Sequence, residues 1–374
     1  MSVPTTARRS AARKSAVTAS TSSKDKAGAS LSTGSRMVNL ALQGGGSHGA
    51  FTWGVLDRIL EDGRLGFEAI SGTSAGSMNA VVMAYGMQQG GKEGARQALD
   101  GFWRDVAGHS GMFGSTQPTA MGNLFWGWAP GATPVFDWVK MLTGALSPYQ
   151  FNPFGFNPLR EVLNRHVDFD ALQQAPIRLY LTATNVRTGK PKVFRGADVT
   201  ADAVMSSACL PTMFKAVQLG GEFYWDGGYA GNPSLYPFFY DSSCHDVLVV
   251  HINPLERDQL PILSGEIENR LNEITFNSAL LSEMRAIAFV QKLLDEGWIK
   301  DEFRDQLKYI RLHSLQADDW LSDLSVASKT ISDWGFLTML RDRGRSAGSA
   351  WLEENLSSVG KRTSTDIRGR YLKH

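Results

Sequence analysis

The chain has 374 residues, with 38 Lys and Arg against 37 Asp and Glu and 43% hydrophobic side chains. That composition is globular, and its near-balanced charge argues against a nucleic-acid binder working through its whole surface. Cys209 and Cys244 are the only cysteines, which excludes a disulfide framework and a thiolate zinc cluster and favours a reducing, cytoplasmic setting.

Residues 1–36 are rich in Ser, Thr and Ala and carry seven Lys or Arg against the single acid Asp25. They read as a disordered basic tail without the apolar centre of a secretory signal. Ordered patterning starts at Met37. Val38–Gln43 is a short apolar run, Gly44–Gly49 a glycine-rich turn, and Ala50–Asp62 has apolar residues at helical spacing. Phe67–Ser71 reads as a second strand, followed after a tight turn by a helix from Ala75 to about Gln88. This βαβα alternation predicts a parallel sheet covered by helices.

Residues 111–158 interrupt the pattern, with Gly and Pro alternating with aromatics such as Phe125, Trp126, Trp128 and Trp138. They are expected to form an insertion or cap within a core of residues 37–260. Strand-like runs resume at Ile177–Ala183 and Val247–Ile252, with a helix-compatible Ala201–Ser207 between them. Residues 261–374 are expected to be a mostly helical extension ending in a fraying basic tail. Its apolar stripe is Leu271, Ile274, Leu281, Met284, Ile287, Ala288 and Leu294. No run approaches the ~18 consecutive apolar residues of a membrane-spanning helix, so a soluble protein, or one peripheral to a membrane or lipid body, is expected.

Two glycine-built corners carry the chemistry. Gly44-Gly45-Gly46-Ser47-His48-Gly49 lies between a strand and a helix, where free backbone N–H groups and the helix dipole attract negative charge. Gly44, Gly46 and Gly49 also satisfy GxGxxG, with Glu68 about twenty residues on, so a nucleotide-binding module is one alternative. Gly72-Thr73-Ser74-Ala75-Gly76 is a GxSxG element at a strand-to-helix turn, a setting that lifts a serine hydroxyl above a sheet and makes Ser74 a candidate nucleophile. Asp226, followed by Gly227 and Gly228 and flanked by Trp225 and Tyr229, is the best downstream carboxylate to serve as base. His245 and His251 also follow Ser74, so an order of Ser, Asp, His is formally present but disfavoured.

With these three motifs the sequence resembles the patatin-like phospholipases over about residues 38–253. Ala183-Thr184-Asn185 and Ser206-Ser207-Ala208-Cys209-Leu210-Pro211 add to the likeness. The resemblance implies a three-layer α/β/α sandwich with a mostly parallel central sheet. It also implies a lipid acyl hydrolase with Ser74 as nucleophile and Asp226 as its base. The amides of Gly44, Gly45 and Gly46 would be oxyanion donors, and Gly49, Gly72, Gly76, Gly227 and Gly228 would support the motifs. The implied substrate is a lipid ester; no metal, organic cofactor or specific nucleic acid is implied. The chain departs from the family pattern at His48, where Arg or Lys is usual. An imidazole titrates near ~6.5, so activity is expected to respond to mildly acidic pH through His48. Residues 111–156 are expected to shape an acyl pocket or rest on a lipid surface. A non-catalytic lipid-binding or regulatory protein is a further alternative.

Overall fold

Strands covered on both faces need apolar residues at nearly every position, and the first two strands have them. The computed structural model describes residues 35–109, 147–152, 154–316, 318–322, 324 and 326–372. Trp126, Trp128 and most of the aromatic insertion lie outside the described residues. β1 (Arg36–Leu42) and β2 (Leu65–Thr73) are buried almost throughout. They join β3 (Arg178–Asn185), β7 (Asp246–Val250) and β8 (Arg311–Leu315) in a parallel array ordered β3-β2-β1-β7-β8. β4 (Pro191–Arg195) and β6 (Glu222–Asp226) run antiparallel to β3, and β5 (Val217–Leu219) antiparallel to β6.

Successive strand residues serve two cores, as the period-2 pleat requires. Leu40, Leu42, Leu248 and Val250 face one side with α1 (Gly49–Asp62), α2 (Ala75–Gly108), α3 (Pro158–His166) and α4 (Ala201–Ser207). Ala41, Val247 and Val249 face the other with α5 (Ser264–Asp295). This is the three-layer α/β/α sandwich that the resemblance implies. The helix expected to end at about Gln88 does break there, because Gly90 and Gly91 leave helical geometry, and a second helical arm of α2 continues beyond the kink to Gly108.

Residues 261–374 are not a separate extension. They supply the edge strand β8, the covering helix α5, and α6 (Trp334–Asn355), which packs along α1. α1 and α6 approach so closely that a Cβ on Gly54 would lie 1.9 Å from the Arg341 carbonyl oxygen, and one on Gly344 2.0 Å from that of Phe51. The expected fraying is not seen among the described residues of the basic tail. Arg368–Leu372 is helical, and Tyr371 is buried.

The apolar stripe of α5 is split. Its second half packs through Leu280, Met284, Ile287 and Ala288, whereas Leu271 and Ile274 are 60% and 50% exposed, together with Leu260, Ile262 and Leu263. Among the described residues no helix is long and apolar enough to cross a membrane.

Because backbone cannot yield as a side-chain tip does, Gly344→Ala is expected to destabilise the fold by ~1–3 kcal/mol. Gly108→Ala, where an added Cβ meets nothing within 4 Å, should leave the thermal midpoint within about 2 °C of wild type. Equal melting of the two variants would contradict the packing described.

Candidate active site

β2 ends at Thr73, and the chain turns into α2 at Ser74 with φ 54° and ψ −123°. Ser74 is the only non-glycine residue with positive φ among the described residues, a strain worth ~1–3 kcal/mol that the surroundings must hold. Its amide donates to Ser207 Oγ at 2.9 Å, and that hydroxyl donates to the Thr182 carbonyl at 2.6 Å. Its carbonyl accepts from the Ser77 hydroxyl and amide at 2.6 and 2.9 Å. The turn also fits only because position 76 is glycine: a Cβ there would sit 2.2 Å from the Leu42 carbonyl oxygen.

β3 brings Asp226 to this serine. Residues 180–182 of β3 bond β2 on one edge and β4 on the other. At 183 and 184 β4 still occupies its edge, so β6 takes the edge that β2 has just vacated. Thr73 therefore pairs with Thr182 and Asp226 with Ala183, at consecutive positions. Thr184 Oγ1 donates to the Asp226 carbonyl at 2.8 Å, and the Asp226 amide to Cys209 at 2.7 Å.

The Asp226 side chain has no solvent exposure. Oδ1 accepts the Gly228 amide at 2.7 Å, and Oδ2 is buried without a hydrogen bond of good geometry. Burial pushes the carboxyl up to about 6, against the Gly228 amide, the Ser74 hydroxyl and the charge of Lys329, all of which favour ionisation. Gly227 opens the turn after Asp226 and touches the Thr182 backbone.

The glycine loop lies against the serine, close enough that a Cβ on Gly44 would fall 2.5 Å from Ser74 Cβ. Four buried carboxamides hold it. Asn232 Oδ1 accepts the Gly44 amide at 2.6 Å, and Asn253 Nδ2 donates to the Gly44 carbonyl at 2.8 Å. Gln43 accepts from the amides of Ile252 and Asn253 and donates to Asn277 Oδ1. The Gly44 amide is thus occupied, which corrects the expectation of three amide donors: among the described residues, those of Gly45 and Gly46 have no acceptor. Gly46, at φ 59°, starts the short turn that leads to Gly49 and α1.

Of the histidines, only His48 departs from expectation. His48 is buried, its Nε2 shares a hydrogen bond of 2.7 Å with Ser328 Oγ, and burial lowers it to about 3. It is neutral at mildly acidic pH, so the expected titration through His48 fails. His251 is buried against Tyr371 at 2.9 Å and likewise lowered, to about 3, by burial. His245 bonds the Tyr309 carbonyl at the amino end of β7, the opposite end of the parallel strands from Ser74. Glu68 sits in the amino half of β2, accepting the Ser243 and Cys244 amides at 2.8 and 2.7 Å. It is far from the glycine loop in register, which removes the nucleotide-module alternative.

Sequence reasoning missed Gln43, Asn232, Asn253 and Lys329. Their roles arise from tertiary contacts that no local pattern announces. Ser207 had a signal, the Ser206–Pro211 block. Among the described residues no group of three His, Cys, Asp or Glu could hold a metal ion.

A folded carboxyl near about 6 against ~4 in the unfolded chain means that ionising Asp226 opposes folding, so its cost grows as pH rises from ~4 through 6 and is constant above. Asp226→Asn is therefore expected to melt above wild type at pH 8, by up to ~3 kcal/mol. The gap should close as pH falls to ~4. A pH-independent difference in scanning calorimetry would contradict the assignment.

The patatin-like phospholipase family model matches residues 40–239. None of the curated proteins compared matches the chain. Among solved structures, VipD from Legionella pneumophila is 15% identical over 84% of this chain and 66% of its own, with a TM-score of 0.40. ExoU, in its heterodimeric complex with SpcU from the type III secretion system of Pseudomonas aeruginosa, is 18% identical over 87% of this chain and 52% of its own, with a TM-score of 0.35. The chain thus spans between half and two thirds of those two proteins. With more than half of its residues under the family model, including both glycine corners and Asp226, the chain belongs to the patatin-like phospholipase family.

Proposed function

We propose that the protein is a lipid acyl hydrolase of the phospholipase A type, working through a Ser74–Asp226 dyad and an acyl-enzyme. Family membership supports the coarser reading, hydrolysis of a lipid ester. The observation that favours the dyad most is the handover on β3, where Thr73 and Asp226 take consecutive positions. A serine held at positive φ beside a buried carboxyl has no need of a histidine, and both candidate histidines are engaged elsewhere.

In this mechanism the Ser74 hydroxyl attacks the ester carbonyl carbon as its proton passes to the Asp226 carboxylate. The amides of Gly45 and Gly46 hold the resulting oxyanion. Collapse expels the alcohol, which takes the proton from Asp226 and leaves the acyl group on Ser74. Water then attacks the ester, giving its proton to Asp226, and collapse releases the fatty acid while Ser74 recovers its proton. Desolvation suits the task, because a carboxylate near about 6 is a stronger base than one in water yet still ionised at neutral pH.

Ser74→Ala and Asp226→Asn are each expected to lower ester turnover by ~10³-fold or more, and a fluorophosphonate should label wild type but not Ser74→Ala. Incubation with a total lipid extract, with Ser74→Ala as control, should release fatty acid in the wild type alone, read by mass spectrometry. Because Asp226 must be ionised, kcat/KM should fall tenfold per pH unit below about 6 and be flat above it. Lipid binding with no serine-dependent release would favour a non-catalytic protein instead.

A further inference from the structure

A buried carboxylate stays charged only if something offsets its lost hydration. The groups around Asp226 are mostly neutral. Cys209 and Tyr229 are each pushed up to about 12, chiefly by burial, and Ser74 is a hydroxyl. The one cation acting on it among the described residues is Lys329, which lies well beyond the family-matched region 40–239.

Lys329 belongs to the short helical turn Val326–Thr330, which follows β8 and docks on the glycine loop. Ser328 Oγ meets His48 Nε2 at 2.7 Å, and the Lys329 carbonyl lies so close to Gly46 that a Cβ there would be 2.3 Å away. Its side chain runs between the loop that holds Gly44 and the ring that covers the turn after Asp226. Nζ donates to Asn253 Oδ1 at 2.9 Å and Asn272 Oδ1 at 3.1 Å, and sits 5.5 Å from the centre of the Phe276 ring, which covers Gly228.

Both hydrogen-bond partners are uncharged amides. The other carboxylate near Lys329 is Glu273 on α5, and it is already met by Arg257, at 3.1 Å, and by Arg270, at 3.3 Å. His48, at the base of the turn, is neutral. The Lys329 charge thus acts on two carboxylates, Glu273 first and Asp226 second, and among the described residues Asp226 has no other cation acting on it.

We propose that Lys329 is a positioning residue: its ammonium, delivered by the turn after β8, keeps the Asp226 carboxyl ionised and thereby makes the serine's base available at neutral pH. The proposal rests on reading Ser74 and Asp226 as the dyad. The turn is then an electrostatic part of the site as well as a structural prop for the glycine loop. The family-matched region alone would hold the carboxyl without its counter-charge.

The test uses full-length Lys329→Met, Lys329→Gln and Lys329→Arg, with p-nitrophenyl butyrate as an uncharged substrate, over pH 5–9. In both neutral variants the acid limb of kcat/KM should move up by roughly 1 pH unit. The rate near pH 6 should fall by up to about tenfold and recover to within about twofold of wild type by pH 9. Lys329→Arg should keep the wild-type limb. An unmoved limb, or an equal loss at every pH, overturns the proposal, the second outcome being that of a mere prop.

Thermal melting at pH 8 gives an independent reading through Lys329→Met, Asp226→Asn and the double variant. The loss on removing the ammonium should shrink when position 226 is uncharged. Additive losses, or a double variant that fails to fold where Asp226→Asn alone folds, overturn the proposal. Failure of the dyad itself would look different: Ser74→Ala would retain turnover whatever the limb does.

Discussion

The candidate site turns on one constraint, a carboxyl group without solvent exposure that the proposed mechanism requires to lose its proton. Full burial pushes Asp226 toward its neutral form, and the fold opposes this with one backbone amide, one hydroxyl and one distant ammonium. Each is set by a different element. The Gly228 amide comes from the turn after β6, the hydroxyl from the start of α2, and the ammonium from the turn after β8. In the proposed mechanism, the basicity that makes the group useful and the penalty for charging it have the same origin.

The handover on β3 makes the convergence inexpensive in chain length. A strand offers two edges, and once β2 turns away at Thr73 the next position on that edge is free. Running β6 antiparallel into the gap sets its last residue, Asp226, beside the first residue beyond β2. Strand pairing thus sets the register of Asp226 against Thr73, and strands hold a site more precisely than loops do.

Much of this was legible in the sequence because it is local. A strand, a glycine-bearing turn and a helix announce themselves within a few residues, as Val38–Asp62 and Phe67–Gln88 do, and the Asp-Gly-Gly turn after a run of aromatics marks Asp226. The rest was set by distant partners. β8 reads Arg-Leu-His-Ser-Leu and does not resemble a buried strand. Its polar residues are satisfied one by one, His313 by Asp246 and Ser364, Ser314 by Tyr371, and Arg311 by Asp246. Leu271 and Ile274 continue the helical spacing of α5 but extend past the layer beneath it. His48 looked titratable because composition says nothing of burial.

The strand order has a bearing on how such a chain can be divided. The family-matched stretch ends before β7, yet β7 is the central neighbour of β1 and β8 lies outside it. A fragment cut at residue 239 would leave β1 with an unpaired, apolar rim, a template on which other chains can add. Its helix α1 would also lose the glycine-bearing partner that lies along it. Residues that a family boundary would assign to a dispensable appendage here supply the strands that cover that rim.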